Sequence, residues 1–150
     1  MKFLVAIDGS EASQQAIERT LTLAQPGKDK ITLMTVMEPL STYYPRLMMP
    51  TGDWVGVQAM PDPDHEKALL ERAGSLLHAS AQVCQQAGVD CDTKLELGAP
   101  RHVICDLAKA EAPDFLVIGS RGLGTMERVM LGSVSDFVVH HCTCPVIVVR

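Results

Sequence analysis

The sequence predicts a single α/β domain: a doubly wound, five-stranded parallel sheet with strand order 3-2-1-4-5. Three observations predict it. Short, continuously apolar runs alternate along the chain with longer stretches whose apolar residues recur at helical spacing. Most of the runs are too apolar to have a wet face, which suits strands of a parallel sheet covered by helices on both sides. Gly, Ser and Pro stand at the junctions, where caps and turns are needed. Right-handed crossovers then leave few topologies, and the expected one reverses its winding between the first and fourth strands.

Phe3 to Ile7 is the first strand, and Asp8-Gly9-Ser10 turns the chain. Ser10 is a good N-cap, Ala16, Ile17, Leu21 and Ala24 follow at helical spacing, and Pro26-Gly27 ends the first helix. Ile31 to Met37 is the second strand, apolar or β-branched throughout. From Asp64 to Ala87 a long helix places Leu69, Ala73, Leu76, Val83 and Ala87 on one stripe and stops at Gly88. Val89, Cys91, Thr93, Leu95 and Leu97 then alternate with Asp90, Asp92, Lys94 and Glu96, a third strand with one wet face near a sheet edge.

Gly98-Ala99-Pro100 opens the third helix, with Val103, Ile104, Leu107 and Ala108 inward and Pro113 closing it. Phe115 to Ile118 is the fourth strand, and a glycine-rich loop follows. Ser133 caps a fourth helix carrying Val134, Phe137 and Val138, and Pro145 leads into the fifth strand, Val146 to Val149.

A chain of 150 residues suits one domain, here 1–150, able to build its own core. With 47% apolar and 21% charged residues it has a globular composition, and its longest apolar runs fall far short of the ~20 residues of a membrane helix. The net charge of −5 argues against nucleic acid as a partner. The apolar start, Met1 to Ile7, is too short for a signal peptide, so a cytoplasmic location is expected. Five cysteines form no regular framework and read as reduced thiols.

Gly119-x-x-Gly122, nine residues, then Gly132-Ser133 is the most informative spacing in the chain. Glycines let backbone amides approach a phosphate with no Cβ in the way, and a helix N-terminus adds unpaired N–H groups and partial positive charge. Ser133 and Ser135 offer hydroxyls, and Arg121 and Arg128 bring charge, so the pattern suits a polyphosphate. It also reads as a surface loop before an ordinary capped helix. No Gly-Lys-Ser/Thr of a P-loop follows, and the third glycine of the dinucleotide fingerprint is missing.

Several separated blocks, in order, resemble the universal stress protein family: Leu4-Val5-Ala6-Ile7-Asp8-Gly9-Ser10, Leu33-Met34-Thr35-Val36, Gly98, Asp114 to Gly122, Leu131-Gly132-Ser133-Val134-Ser135 and Cys144 to Val149. The resemblance implies a Rossmann-like fold of the adenine nucleotide alpha hydrolase kind. It also implies the subclass that binds ATP, marked by G-x-x-G-x9-G-S/T. By resemblance Asp8 would lie near the ribose and metal side, with Gly9 and Ser10 beside it, and Val36 would offer backbone contacts to adenine. Gly119, Ser120, Arg121, Gly122, Gly132, Ser133, Val134 and Ser135 would surround the phosphates, with Mg²⁺ or Mn²⁺ as counterion. Asp8 also reads as a cap for the first helix, and Val36 as core.

Other signals compete. His140-His141-Cys142-Thr143-Cys144 holds four possible metal ligands, but the spacing is not that of a structural zinc site, and no metal is expected there. Glu38 to Pro63 gathers Tyr43, Tyr44, Trp54 and five of the nine prolines, and reads as a long flexible loop, a lid or a partner-binding flap. No Gly-x-Ser-x-Gly elbow supports hydrolase chemistry, and no catalytic residue is assigned. The expected activity is a nucleotide-dependent binding module of the stress response, with slow hydrolysis at most and an unidentified protein partner. A slow ATPase or self-phosphorylating enzyme, and a nucleotide-independent dimeric scaffold, are the alternatives. A homodimer through 146–149 is expected, because that apolar edge lacks Lys, Pro or a bulge to protect it.

Overall fold

Strand β1 (Lys2–Ala6) is the middle strand of the sheet, and its alternation divides the molecule into two cores. Phe3, Val5 and Ile7 point to one side, where they meet Ala16, Ile17, Leu77, Ala81 and Cys84. Leu4 and Ala6 point to the other, among Met34, Ile104, Ala108 and Val138. A parallel strand buried on both faces needs both sets of helices, which is why the run is apolar without interruption. The computed structural model describes residues 1–38, 46–48, 54–56, 63–121 and 131–150.

After β1 come α1 (Glu11–Leu23), β2 (Lys30–Met37), β3 (Arg46–Met48), β4 (Trp54–Gly56), α2 (Pro63–Gln86) and β5 (Asp90–Leu97). The chain continues through α3 (Pro100–Glu111), β6 (Phe115–Gly119), α4 (Ser133–His141) and β7 (Val146–Val149). The main sheet runs β5-β2-β1-β6-β7 with every neighbouring pair parallel, which is the predicted 3-2-1-4-5 order. Helices α1 and α2 cover one face, and α3 and α4 the other. Among the described residues no helix is long and apolar enough to cross a membrane.

Local chemistry sets the ends of the helices. The Ser10 side chain accepts the Ser13 N–H at 3.2 Å and caps α1, as its residue type predicts. Pro100 occupies the first turn of α3, where its missing N–H costs nothing, and Ala112 ends the helix in the left-handed region at φ 46°. Gly98 sits at φ +139°, and a Cβ there would come within 2.8 Å of Val103, so the turn before α3 requires glycine.

Four expectations need correction. The buried stripe of α2 is Leu77, Ser80, Ala81 and Cys84, flanked by Ala73 and Leu76, whereas Val83 is 45% exposed and Ala87 is also exposed. Leu97 was expected on the covered face of its strand but is 56% exposed, because the end of an edge strand has cover on one flank only. Helix α4 is capped by Gly132, with Ser133 its first helical residue. Within the segment expected as one long loop, β3 and β4 pair antiparallel, Leu47 opposite Val55, a short hairpin that satisfies backbone groups locally. The rest of the 39–62 segment lies outside the described residues.

Candidate anion-binding site at the strand switch point

The sheet reverses its winding between β1 and β6, and the loops leaving these two strands meet. Beyond β1 the Ile7 N–H still reaches the Met34 carbonyl at 2.8 Å, and then the chain turns. Gly9 takes φ +83°, a conformation costly for any residue with a Cβ. The Asp8 carboxylate accepts the Ser10 N–H at 3.0 Å, fixing the turn, and the Ser10 hydroxyl donates to the Arg121 carbonyl at 3.4 Å. This last bond joins the β1 loop to the β6 loop.

The β6 loop is anchored twice more. Ser120 donates its N–H to the Val149 carbonyl at 2.6 Å, and its own carbonyl accepts the Gly132 N–H at 2.8 Å and the Ser135 hydroxyl at 2.9 Å. Ser135 is buried, and its hydroxyl also lies 3.0 Å from the Gly132 carbonyl. A hydroxyl has one proton, and here the backbone takes it. Ser135 therefore shapes the corner at the start of α4. Ser133 is exposed at that corner.

The N-terminus of α4 has an unusual makeup. Its cap is a glycine, so the helix start has no side-chain cap hydrogen bond among the described residues. The amides of Ser133, Val134 and Ser135 lead the helix with the positive end of its dipole, the arrangement that receives an anion. The N-terminus of α1 differs, since the Ser10 oxygen occupies it.

The two described glycines of the motif are glycines for different reasons. At Gly119 a Cβ would lie 2.8 to 2.9 Å from the backbone and Cβ of Ala12, so glycine lets the first turn of α1 press onto β6. At Gly132 the backbone has φ −64° and ψ 157°, open to any residue, and the nearest described atoms to a Cβ lie at 3.5 to 3.6 Å, ordinary contact. Neither conformation nor packing among the described residues demands glycine there. A ligand approaching the backbone would supply the demand.

Asp8, Gly9, Ser10, Gly119, Ser120, Arg121, Gly132, Ser133, Val134 and Ser135 are thus tied into one group by these bonds and elements. Val36 lies near the end of β2, packed on the second core. The β1–β2 register ends at Ala6 opposite Met34, and strand alternation turns the Val36 N–H and C=O to the same side as those of Met34, one step past that end. Gly122 and Arg128 lie outside the described residues. Two supports escaped the sequence reading: Ala12, whose small side chain in the first turn of α1 is the signal that could have found it, and the Val149 carbonyl, which no residue type announces. In the His140–Cys144 cluster, each imidazole Nδ1 lies 2.8 Å from the carbonyl four residues back, His140 on Asp136 and His141 on Phe137.

The sequence profile of the universal stress protein family matches residues 1–150. Universal stress protein YxiE of Bacillus subtilis is 30% identical over 152 aligned residues, covering 99% of this chain and 98% of the relative. A universal stress protein A-like protein of Arabidopsis thaliana is 44% identical over 75 residues, half of this chain and 43% of the relative. Among solved structures, a universal stress protein family protein from Arabidopsis thaliana with AMP bound superposes with a TM-score of 0.70 at 28% identity, covering 99% of this chain and 90% of that one.

Proposed function

The chain belongs to the universal stress protein family, and from that premise we propose that it is a cytoplasmic, ATP-binding regulatory module of the stress response. The observation that carries the reading is the α4 N-terminus, a helix start capped by a glycine that nothing in the described chain requires. In this reading the Ser133, Val134 and Ser135 amides face the phosphates, and Gly119, Ser120, Arg121 and Gly132 frame them. The Val36 N–H and C=O meet the adenine edge. The AMP-bound relative supports an adenine nucleotide as the ligand class.

Asp8 stands at the turn beside α1 and is exposed, so its carboxylate suits the ribose and a hard cation. Mg²⁺ would be held chiefly by the phosphates with Asp8 as a protein oxygen ligand, and it would neutralise charge on the triphosphate. The Ser10 and Ser135 hydroxyls direct their protons to backbone carbonyls, which makes them supports of the site and not poised nucleophiles. Binding ATP in its ground state does not by itself speed hydrolysis.

Calorimetry on nucleotide-free protein tests the reading. ATP with Mg²⁺ should release or absorb heat saturably and raise the melting temperature, a stabilisation of ~2.7 kcal/mol at a hundredfold excess over Kd. No heat with ATP, ADP or AMP would leave the chain a nucleotide-independent scaffold.

The same reading includes a homodimer through β7. It is an edge strand in the sheet, and Val146, Ile147 and Val148 are only partly buried within the chain. A two-fold axis would lay two such edges antiparallel and pair their free backbone groups. Light scattering at micromolar concentration should give a dimer mass that Val148→Lys reduces to a monomer. A monomeric unsubstituted protein would refute the interface.

A further inference from the structure

Cys105 on α3 and Cys142, the residue closing α4, bring their sulfurs to 2.7 Å, with the Cys142 thiol donating to Cys105. That is about 0.7 Å longer than the ~2.05 Å of a disulfide bond. The helices carrying them are held side by side independently of the thiols. The Arg101 guanidinium stands 5.5 Å from the centre of the Phe137 ring, and His102 meets the same ring edge-on at 4.9 Å. Both cysteines are half-buried at the margin of the second core, within reach of a small solute, as is Cys144. Cys84, by contrast, is fully buried.

We infer that Cys105 and Cys142 form a dithiol site that hydrogen peroxide converts into an intramolecular disulfide clasping α3 to α4. The Cys105 sulfur attacks one peroxide oxygen, the O–O bond breaks, and the departing hydroxide takes the thiol proton and leaves as water. Cys105 is then a sulfenic acid. The Cys142 sulfur attacks the Cys105 sulfur, the S–S bond forms, the S–O bond breaks, and the hydroxide leaves as water with the Cys142 proton. One peroxide is reduced to two waters while two thiols are oxidised to one disulfide.

The short sulfur–sulfur distance favours this resolution over further oxidation, because the second thiol is already in place. Burial raises both the Cys142 and Cys144 thiols above the ordinary thiol range, so they stay protonated at neutral pH and the clasp closes slowly. Cys144 lies two residues from Cys142 on the same strand of chain, where a bridge would be strained. The clasp fixes the far end of the helix whose first turn was assigned to phosphate, but its formation does not require a nucleotide.

Peroxide treatment of the reduced full chain, followed by peptide mapping without reductant, tests the inference. The expected result is a Cys105–Cys142 cross-link, a mass lower by two hydrogens and a melting temperature raised on the order of 10 °C. Dithiothreitol should reverse all three. Cys105→Ser and Cys142→Ser should each abolish the link, and Cys144→Ser should keep it. The mapping on the unsubstituted chain decides even if a serine variant folds poorly. No two-hydrogen loss, oxidation of Cys105 to a sulfinic acid without a link, or a link at Cys142–Cys144, at Cys84–Cys91 or between chains in its place would overturn the proposal.

Discussion

Gly119→Val should destabilise the fold by about 3 kcal/mol, a fall of roughly 10 °C in melting temperature, read as a lower denaturant midpoint at unchanged slope. A Cβ at position 119 would lie 2.8 Å from the Ala12 carbonyl carbon and 2.9 Å from both its oxygen and its Cβ. The neighbour is helix backbone, which cannot rotate away as a flexible side chain could. Relief would require α1 to lift from β6, opening the first core along Val5, Ala16 and Val117. Adding Ala12→Gly removes only the Cβ contact and should restore little. A midpoint within experimental error of the parent chain would mean that α1 does not approach β6 as closely as described.

The opposite result is expected for Gly132→Asp. The backbone there accepts any residue, and aspartate is among the best N-caps, so the nucleotide-free protein should keep its stability or gain a few tenths of a kcal/mol. Its carboxylate would occupy the amides of the first turn and set a negative charge where the phosphates are proposed to sit. ATP affinity should fall at least a hundredfold, erasing ~2.7 kcal/mol of binding free energy. Calorimetry and thermal shift on one preparation separate the two effects. ATP binding undiminished in a well-folded Gly132→Asp protein would remove the phosphates from α4. Two glycines of one sequence motif thus give opposite signatures, one in stability and one in binding.

The fold was legible where periodicity and chemistry agree. The run Phe3 to Ile7 announces a strand buried on both sides, and both cores contain its alternate residues. Ser10 and Pro100 mark the starts of α1 and α3 by mechanisms that act within a few residues. Helix α2 was legible as a helix but not in its orientation. It carries apolar residues on two sides, Leu70 and Val83 outside and Leu77, Ala81 and Cys84 inside, and spacing alone cannot say which side meets the sheet. The hairpin of β3 and β4 has three-residue strands, too short for any period to register.

Within the site, the group of residues was legible from the glycine spacing, but the division of labour was not. Sequence assigned Gly119 and Gly132 one role, whereas the first makes room for Ala12 and the second leaves its helix start without a side-chain cap. Ser135 was read as a hydroxyl for phosphate, and the structure directs its proton to the Ser120 and Gly132 carbonyls. The first of these distinctions depends on a neighbour more than 100 residues away in sequence and the last on a carbonyl 15 residues away, and neither has a local signal.

The joining of β1 to β6 also fixes when the site can exist during synthesis. Lys2 bonds through its N–H to the Asp114 carboxylate, 112 residues on, and Ser10 reaches Arg121 across 111 residues. As the chain leaves the ribosome, β1 can pair with β2 early, but its other edge waits for β6 and the corner at Ser120 waits for α4 and the Val149 carbonyl. Closing contacts of this span is slow, and the waiting edge of β1 is apolar and open to wrong partners. A nucleotide held as proposed could not shepherd the first half of the chain, since most of its binding groups, from Gly119 to Ser135, would not yet have been translated. It would act only on the finished molecule, as a brake on unfolding and not as a template for folding.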